Sequence, residues 1–245
     1  MTGTTTRELR RIRRSRRHPR PWQFDYLHLN RLVTDLGAVL SRLSEGSRVL
    51  DVYCGTRPYE DLLPNGATCV GLDIEDPFGM VDVISRRFLP FADASFDVVL
   101  CTEAFQYVDE PSDAVAEFAR VLRPGGTAIV SVPLVWEYDR TGMEFRFTGP
   151  HLSRLFERWD GVRVMENGGF AVSWATLTGR IANLAQGRLE RRAPNWAVRG
   201  LFSAVYGVIN VIGLMLDAAE RTMSPRRLAL PMNLLVVATR PTDLA

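Results

Sequence analysis

The stretch Arg48-Val-Leu-Asp-Val-Tyr-Cys-Gly-Thr-Arg-Pro-Tyr59 constrains this chain most, because a second stretch, Cys69-Val-Gly-Leu-Asp-Ile74, answers it. Each holds a short apolar run of the length a buried strand needs, and each run reaches a carboxylate. The two acids, Asp51 and Asp73, lie 22 positions apart, with a tight bend at Gly55 between them. That spacing is one crossover of a parallel sheet, which brings polar groups to the carboxyl ends of neighbouring strands. In open α/β sheets this edge is where nucleotide-like ligands sit. A terminal carboxylate accepts both hydroxyls of a ribose, and a glycine lets backbone approach a ligand without a Cβ clash.

The rest of the pattern extends the same architecture. Leu29, Leu32, Val33, Leu36, Val39, Leu40 and Leu43 recur at helical spacing and predict an amphipathic helix over Tyr26 to Leu43. Strands follow near 48–53, 68–73 and 96–101. Pro111 opens a helix to Leu122, which Arg123-Pro-Gly-Gly126 stops before a strand at Thr127 to Val132. A loop from Trp136 to Phe147 then leads to a short helix at about 150–157 and a strand at 161–165. Helical stretches near 171–186 and 196–221 precede the apolar strand Asn233 to Thr239. Strand–helix alternation of this kind predicts an α/β fold, a doubly wound and mostly parallel sheet covered on both faces. Residues 22–245 read as one domain, with 171–230 a mostly helical insertion before the last strand and 1–21 a disordered basic arm.

Charge and cysteine usage narrow the partners. The formal net charge is only +2, but all 30 basic residues are arginine and eight of them crowd positions 7 to 20. Without interleaved aromatics such an arm gives no reason to expect a specific nucleic-acid partner. Cysteines at 54, 69 and 101 match no zinc spacing, so no metal site is expected. Their odd number fits a reducing cytosol. The arm lacks the apolar run of a secretory signal. Gly200 to Leu216 is uncharged over 17 residues, shorter than the roughly 20 a spanning helix needs. A cytoplasmic protein is expected, with peripheral membrane contact through 1–20 or 200–216 as the one membrane option.

Four blocks in order resemble the class I S-adenosylmethionine-dependent methyltransferases. These are Val49-Leu-Asp-Val-Tyr-Cys-Gly55, Val70-Gly-Leu-Asp-Ile74, Leu89-Pro-Phe-Ala-Asp-Ala-Ser-Phe-Asp-Val-Val-Leu100 and Val121-Leu-Arg-Pro-Gly-Gly126. Gly55-Thr-Arg-Pro-Tyr59 is also similar to a Gly-Thr-Lys-Pro-Tyr form found among methyltransferases of glycan and secondary-metabolite gene clusters. The resemblance implies a Rossmann-like seven-stranded sheet with its last strand antiparallel, and S-adenosyl-L-methionine as cofactor. It implies further that Asp51 and Gly55 line the methionine side and that Asp73 holds the ribose with Ile74 against adenine. Asp82, in Val81-Asp-Val83, would meet the adenine amino group, and Cys101 would approach the sulfonium.

Methyl transfer to a small-molecule, glycan or lipid-linked acceptor, at oxygen, is the implied activity, and Glu103 and His151 are the candidate bases. Gln106, Tyr107, Tyr138, Asp139 and Arg146 are loop residues that could position the acceptor. Two departures stand out: Tyr53 replaces the first motif glycine, and Gln106-Tyr107 replaces a common Glu-His pair. Tyr53 motivates an alternative, a catalytically inactive cofactor-binding module. A nicotinamide oxidoreductase is a further alternative, disfavoured because the loop after Gly55 lacks the glycines that admit a pyrophosphate.

Overall fold

Apolar runs bounded by turn residues become the seven strands of one sheet in the computed structural model, which describes residues 6–86, 88–138, 142, 144–223 and 230–243. In chain order they are β1 (Arg48–Val52), β2 (Thr68–Asp73), β3 (Val83–Ile84), β4 (Phe96–Thr102), β5 (Leu122–Pro133), β6 (Asp160–Asn167) and β7 (Asn233–Thr239). Their spatial order is β3-β2-β1-β4-β5-β7-β6. β1 to β5 run parallel, and β7 lies antiparallel between β5 and β6. The chain winds outward from β1 through β2 to β3, then returns to β4 on the other side. The carboxyl tips of β1 and β4 therefore mark the point where the winding reverses.

Side-chain alternation explains why these strands are buried on both faces. Val49, Val98, Leu100, Ile129 and Leu235 meet Leu32, Leu36, Val39 and Leu40 of helix α2 (Tyr26–Leu40). Their neighbours Leu50, Val52, Val99, Cys101, Val130 and Val236 pack on the opposite face with Val115 and Phe118 of α3 (Pro111–Val121) and Leu152 of α4 (Gly149–Leu155). Each fully buried aliphatic side chain contributes about 1.5–3 kcal/mol. Arg123-Pro-Gly-Gly126 ends α3 as expected but is taken up into β5. Gly125, at φ 78°, donates to the Arg240 carbonyl, and the register with β4 shifts there as a bulge.

Within the arm of residues 1–21 that was expected to be disordered, Thr6–Arg17 form a helix, α1. Arginine is a good helix former, Glu8 sits in the first turn, and Arg14, Arg16 and Arg17 sit in the last, each on its favourable end of the dipole. Arg13 then anchors the helix to Glu60 at 3.3 Å. Asp139 lies outside the described residues.

Between β6 and β7, α5 (Phe170–Leu189) and α6 (Asn195–Met223) pack together as a hairpin. Val198, Phe202, Tyr206, Asn210, Gly213 and Asp217 form the buried stripe of α6. Gly213 is required there, because a Cβ would fall 2.6 Å from Leu27 and 2.7 Å from Ala175. Asp217 pairs with Arg31 of α2 and with Arg221.

Candidate functional site

The loop leaving β1 turns on three left-handed residues, Tyr53 (φ 58°), Gly55 (φ 51°) and Arg57 (φ 50°). Only the middle one is glycine, so the other two carry backbone strain of the kind that collects at functional sites. The turn is held by the tip of β2. The Gly55 amide donates to Asp73 Oδ2 at 2.8 Å, and the Ile74 amide donates to Asp73 Oδ1 at 2.7 Å. A side chain built at Gly55 would meet nothing within 4 Å, so the bend faces open space.

Beside this turn lies a cleft of about 1150 Å³ lined by Tyr53, Asp73, Ile74, Ser85, Leu89 and Tyr107, among others. Its walls come from the tips of β1 and β2, the segment after β3, and the start of α3. Ile74 is half exposed at the mouth and offers an apolar surface next to the Asp73 carboxylate.

Asp51 sits behind the turn, buried, with Oδ1 lacking any hydrogen-bond partner. Burial pushes its carboxyl up to about 7, against the opposing pull of the Arg57 cation. Arg57 itself is buried, and both terminal nitrogens of its guanidinium are occupied while Nε has no partner. Its guanidinium donates to the Cys69 carbonyl (2.6 Å), Glu60 (3.0 Å) and Asp82 (2.9 Å). Gly71 makes room for it, since a Cβ there would come within 3.2 Å of Arg57 Cδ and 2.9 Å of Cys54 Sγ. Asp82 also accepts from the Gly71 amide. The structure thus commits Asp82 to Arg57 and β2 and leaves it, with Val83, outside the cleft lining. Cys101 is fully buried in the core at the end of β4, and burial pushes its thiol far up.

A second polar group gathers at the tips of β4, β5 and β7. Glu103, in a left-handed conformation (φ 56°), receives hydrogen bonds from Ser131 Oγ (2.9 Å) and Asn233 Nδ2 (3.0 Å). Asn233 Nδ2 also lies 2.8 Å from His28 Nε2, and His28 Nε2 is 3.7 Å from Glu103 Oε2. Burial raises the Glu103 carboxyl, offset by Ser131, the Arg16 charge and Asn233. Burial, helped by Arg16, lowers His28 to about 4. His28 is therefore neutral near pH 7 and accepts from the amide. Gln106 steadies the turn by donating to the Glu103 carbonyl, and Trp136 packs on His28.

His151 is not brought to this group. It is exposed on α4 with its ring against Phe147 and, like Asp51, Gly55, Cys101 and Glu103, is not among the residues that line the cleft. Tyr107 does line the cleft. Tyr138 is exposed, and Arg146 is held by Glu144 and the Glu137 carbonyl. Among the described residues no cluster of three or more His, Cys, Asp and Glu could hold a metal ion. His28, Ser131 and Asn233 are the residues that sequence reasoning missed. The available signal was a polar residue in an otherwise apolar pattern, as at Asn233 opening β7.

Residues 50–130 match a family model described as a methyltransferase domain. A demethylmenaquinone methyltransferase of Renibacterium salmoninarum is 41% identical over 118 residues, covering 41% of this chain and 46% of that protein. The O-methyltransferase resE of Aspergillus sclerotiorum is 33% identical over 119 residues, covering 41% and 45%. The aligned segment thus spans less than half the length of these relatives. In fold the chain is similar to the [4+2]-cyclase SpnF (TM-score 0.55, 20% identity, 89% of this chain and 83% of that one). It is also similar to a Haemonchus contortus phosphoethanolamine N-methyltransferase (TM-score 0.52, 13% identity, 84% and 52%).

Proposed function

We infer that a chain carrying a class I S-adenosylmethionine-dependent methyltransferase domain at residues 50–130 transfers a methyl group from that cofactor to a small-molecule acceptor, at oxygen. The observation that carries this is the Asp73 carboxylate, held by the Gly55 and Ile74 amides at the wall of the cleft. The residues present suit the cofactor. Asp73 keeps free lone pairs for a ribose diol, Ile74 gives an apolar platform for adenine, and the unpartnered Asp51 Oδ1 suits an ammonium group.

Bound here, the cofactor supplies a methyl carbon made electrophilic by its sulfonium. The chain's own contribution is alignment, water exclusion and proton handling. Alignment means holding the acceptor atom about 3–3.5 Å from the methyl group. Glu103 is the group assigned to take the acceptor proton. Ser131 and Asn233 fix its carboxylate, and burial raises its basicity toward that of a useful base. Trp136 and Trp174, packed with Leu27, Val172 and Met232 beside His28, supply an apolar wall. That wall supports a ring-bearing acceptor, as do relatives named for demethylmenaquinone and for O-methylation. His151, exposed on α4, is given no catalytic role in this reading.

Calorimetry with S-adenosylmethionine and S-adenosylhomocysteine tests the cofactor berth, with Asp73→Ala expected to abolish uptake. Labelled methyl transfer to a panel of phenols and quinols tests the activity. Glu103→Gln is expected to bind cofactor normally and lose about 10²–10⁴ in turnover. Failure of the unmodified chain to take up either ligand at millimolar levels overturns the reading. The inactive-module alternative is favoured by the Tyr53 side chain at the cleft wall. Tight binding with no turnover on any acceptor would select it.

A further inference from the structure

α6 is apolar on both faces, yet only one face is covered. Val198, Phe202, Tyr206, Asn210 and Gly213 point into the protein, whereas Leu201 (59% exposed), Val208 (59%), Val211 (55%) and Met215 (68%) point out. α5 adds an exposed apolar stripe of Leu177, Ile181 and Leu184. A helix that is hydrophobic all round belongs in a core or against lipid. Length and composition alone would let α6 cross a membrane. Its inner face argues otherwise, because Asn210 and Asp217 are buried against the protein: Asn210 on the Pro21 and Gln23 carbonyls, and Asp217 on Arg31. The outer face is thus built to lie on an apolar boundary while the inner face stays docked.

The charges at the hairpin turn are mainly positive. The hairpin turn carries Arg188, Arg191 and Arg192 around a Glu190 that pairs with Arg199, and Trp196 beside them is 81% exposed. Arginine and tryptophan at the rim of an apolar surface are what an interfacial helix presents. The segment that follows α1 is tied to the same hairpin, through the Pro21 and Gln23 carbonyls on Asn210 and through Phe24 on Tyr206. α1 borders a groove of about 760 Å³ lined by Arg7, Arg10, Arg11, Arg14, His18 and Arg20 together with the acid Glu8. Charge of this density complements phosphate headgroups.

We propose that the α5–α6 hairpin and α1 together dock this protein on an anionic bilayer surface, with the outer faces of α5 and α6 in the headgroup–acyl boundary and the α1 arginines on lipid phosphates. The docking is independent of cofactor binding and of turnover, so its failure and that of the methyl-transfer reading are separately observed.

Flotation of the full chain with vesicles tests it. Vesicles of phosphatidylcholine mixed with phosphatidylglycerol are expected to carry the protein, and pure phosphatidylcholine vesicles to carry far less. Val208→Asp with Met215→Asp should lower partitioning by about a hundredfold, two apolar side chains having been lost from the boundary. Arg10→Ala with Arg14→Ala should lower it about fivefold per arginine, with a smaller dependence on salt. All four positions are solvent-facing, so unchanged melting without vesicles is expected. Leu201→Ser with Val211→Ser is the milder pair should the aspartates disturb folding. No flotation on anionic vesicles, or flotation that ignores both sets of variants, overturns the proposal. So does a dimer that the aspartate variants dissolve while vesicles bind nothing, which would assign the face to a second copy of the chain.

Discussion

Tyr53 and Arg57 occupy left-handed backbone on either side of Gly55, and each departure from glycine has a different physical account. Left-handed backbone costs a non-glycine residue about 1–2 kcal/mol. Arg57 offsets this with hydrogen bonds to Cys69, Glu60 and Asp82. Hydrogen bonds to charged groups contribute about 1.5–3 kcal/mol each, and the partly exposed Glu60 and Asp82 fall at or below that lower end. Three such bonds outweigh the strain. Arg57→Gly is therefore expected to destabilise the fold by about 2–3 kcal/mol in urea unfolding, although it restores the residue the backbone prefers. Tyr53→Gly removes only a half-buried ring, so relief and loss nearly cancel and stability should stay within about 1 kcal/mol. At this scale the meeting of Asp51, Gly55, Asp73 and Ile74 at adjoining strand tips was legible, because they lie in two short segments whose spacing implies one crossover. His28 and Asn233 were not, being 205 positions apart and joined only by the closing of the sheet. Nor was the commitment of Asp82 to Arg57, which depends on a side chain crossing over Gly71.

Elements with strong periodicity were read within a few residues of their ends, α2, α3, α5, α6 and β7 among them. The two-residue strand β3 was not, since Val83–Ile84 is too short to show any period. α1 was missed because charge density was taken as a sign of disorder, while arginine's helix propensity and the Arg13–Glu60 contact act the other way. α5 shows a tertiary solution that no local pattern reveals. Its first residue has no capping side chain before it. Instead the Glu220 carboxylate of α6 accepts from the Phe170 and Ala171 amides, both at 3.1 Å. Gly169 leaves room for this approach, because a Cβ there would lie 2.3 Å from Glu220 Oε1 and push the carboxylate aside. A side-chain cap is worth about 1 kcal/mol, and a charge at the positive helix end adds several tenths. Glu220→Ala should then cost about 1–2 kcal/mol and lower the melting temperature by about 2–4 °C per kcal/mol. Glu220→Gln, which keeps one acceptor, should recover about half. Equal melting of all three proteins would mean that the amides find water as readily as the carboxylate.

The molecule as a whole places two buried ionisable groups at the strand tips whose titrations pull stability in opposite directions with pH. Asp51 is raised to about 7 from an ordinary 3.8, chiefly by burial. The folded state thus binds its proton more tightly than the unfolded chain, and stability falls as pH rises from about 4 to 7. His28 is lowered to about 4 from 6.5, again chiefly by burial. The unfolded chain binds that proton more tightly, so stability falls as pH drops from 6.5 to 4. Over the shared window the two slopes oppose each other, and a wild-type profile alone conceals both. Variants separate them. Relative to wild type, Asp51→Asn should gain stability progressively from pH 4 to 7 and then level off, by a few kcal/mol in all. His28→Gln should gain in the reverse sense, with its advantage growing from pH 6.5 down to 4 and then levelling. Chemical unfolding at half-unit steps across pH 4–8 reads both differences directly. Bound S-adenosylmethionine adds a check on the first. If its ammonium sits by Asp51, that carboxyl must ionise on binding, so affinity should weaken about tenfold per unit below pH 7 and stay level above it. Asp51→Asn should abolish that slope along with the stability difference, whereas a slope that survives in the variant would place the titrating group elsewhere in the cleft.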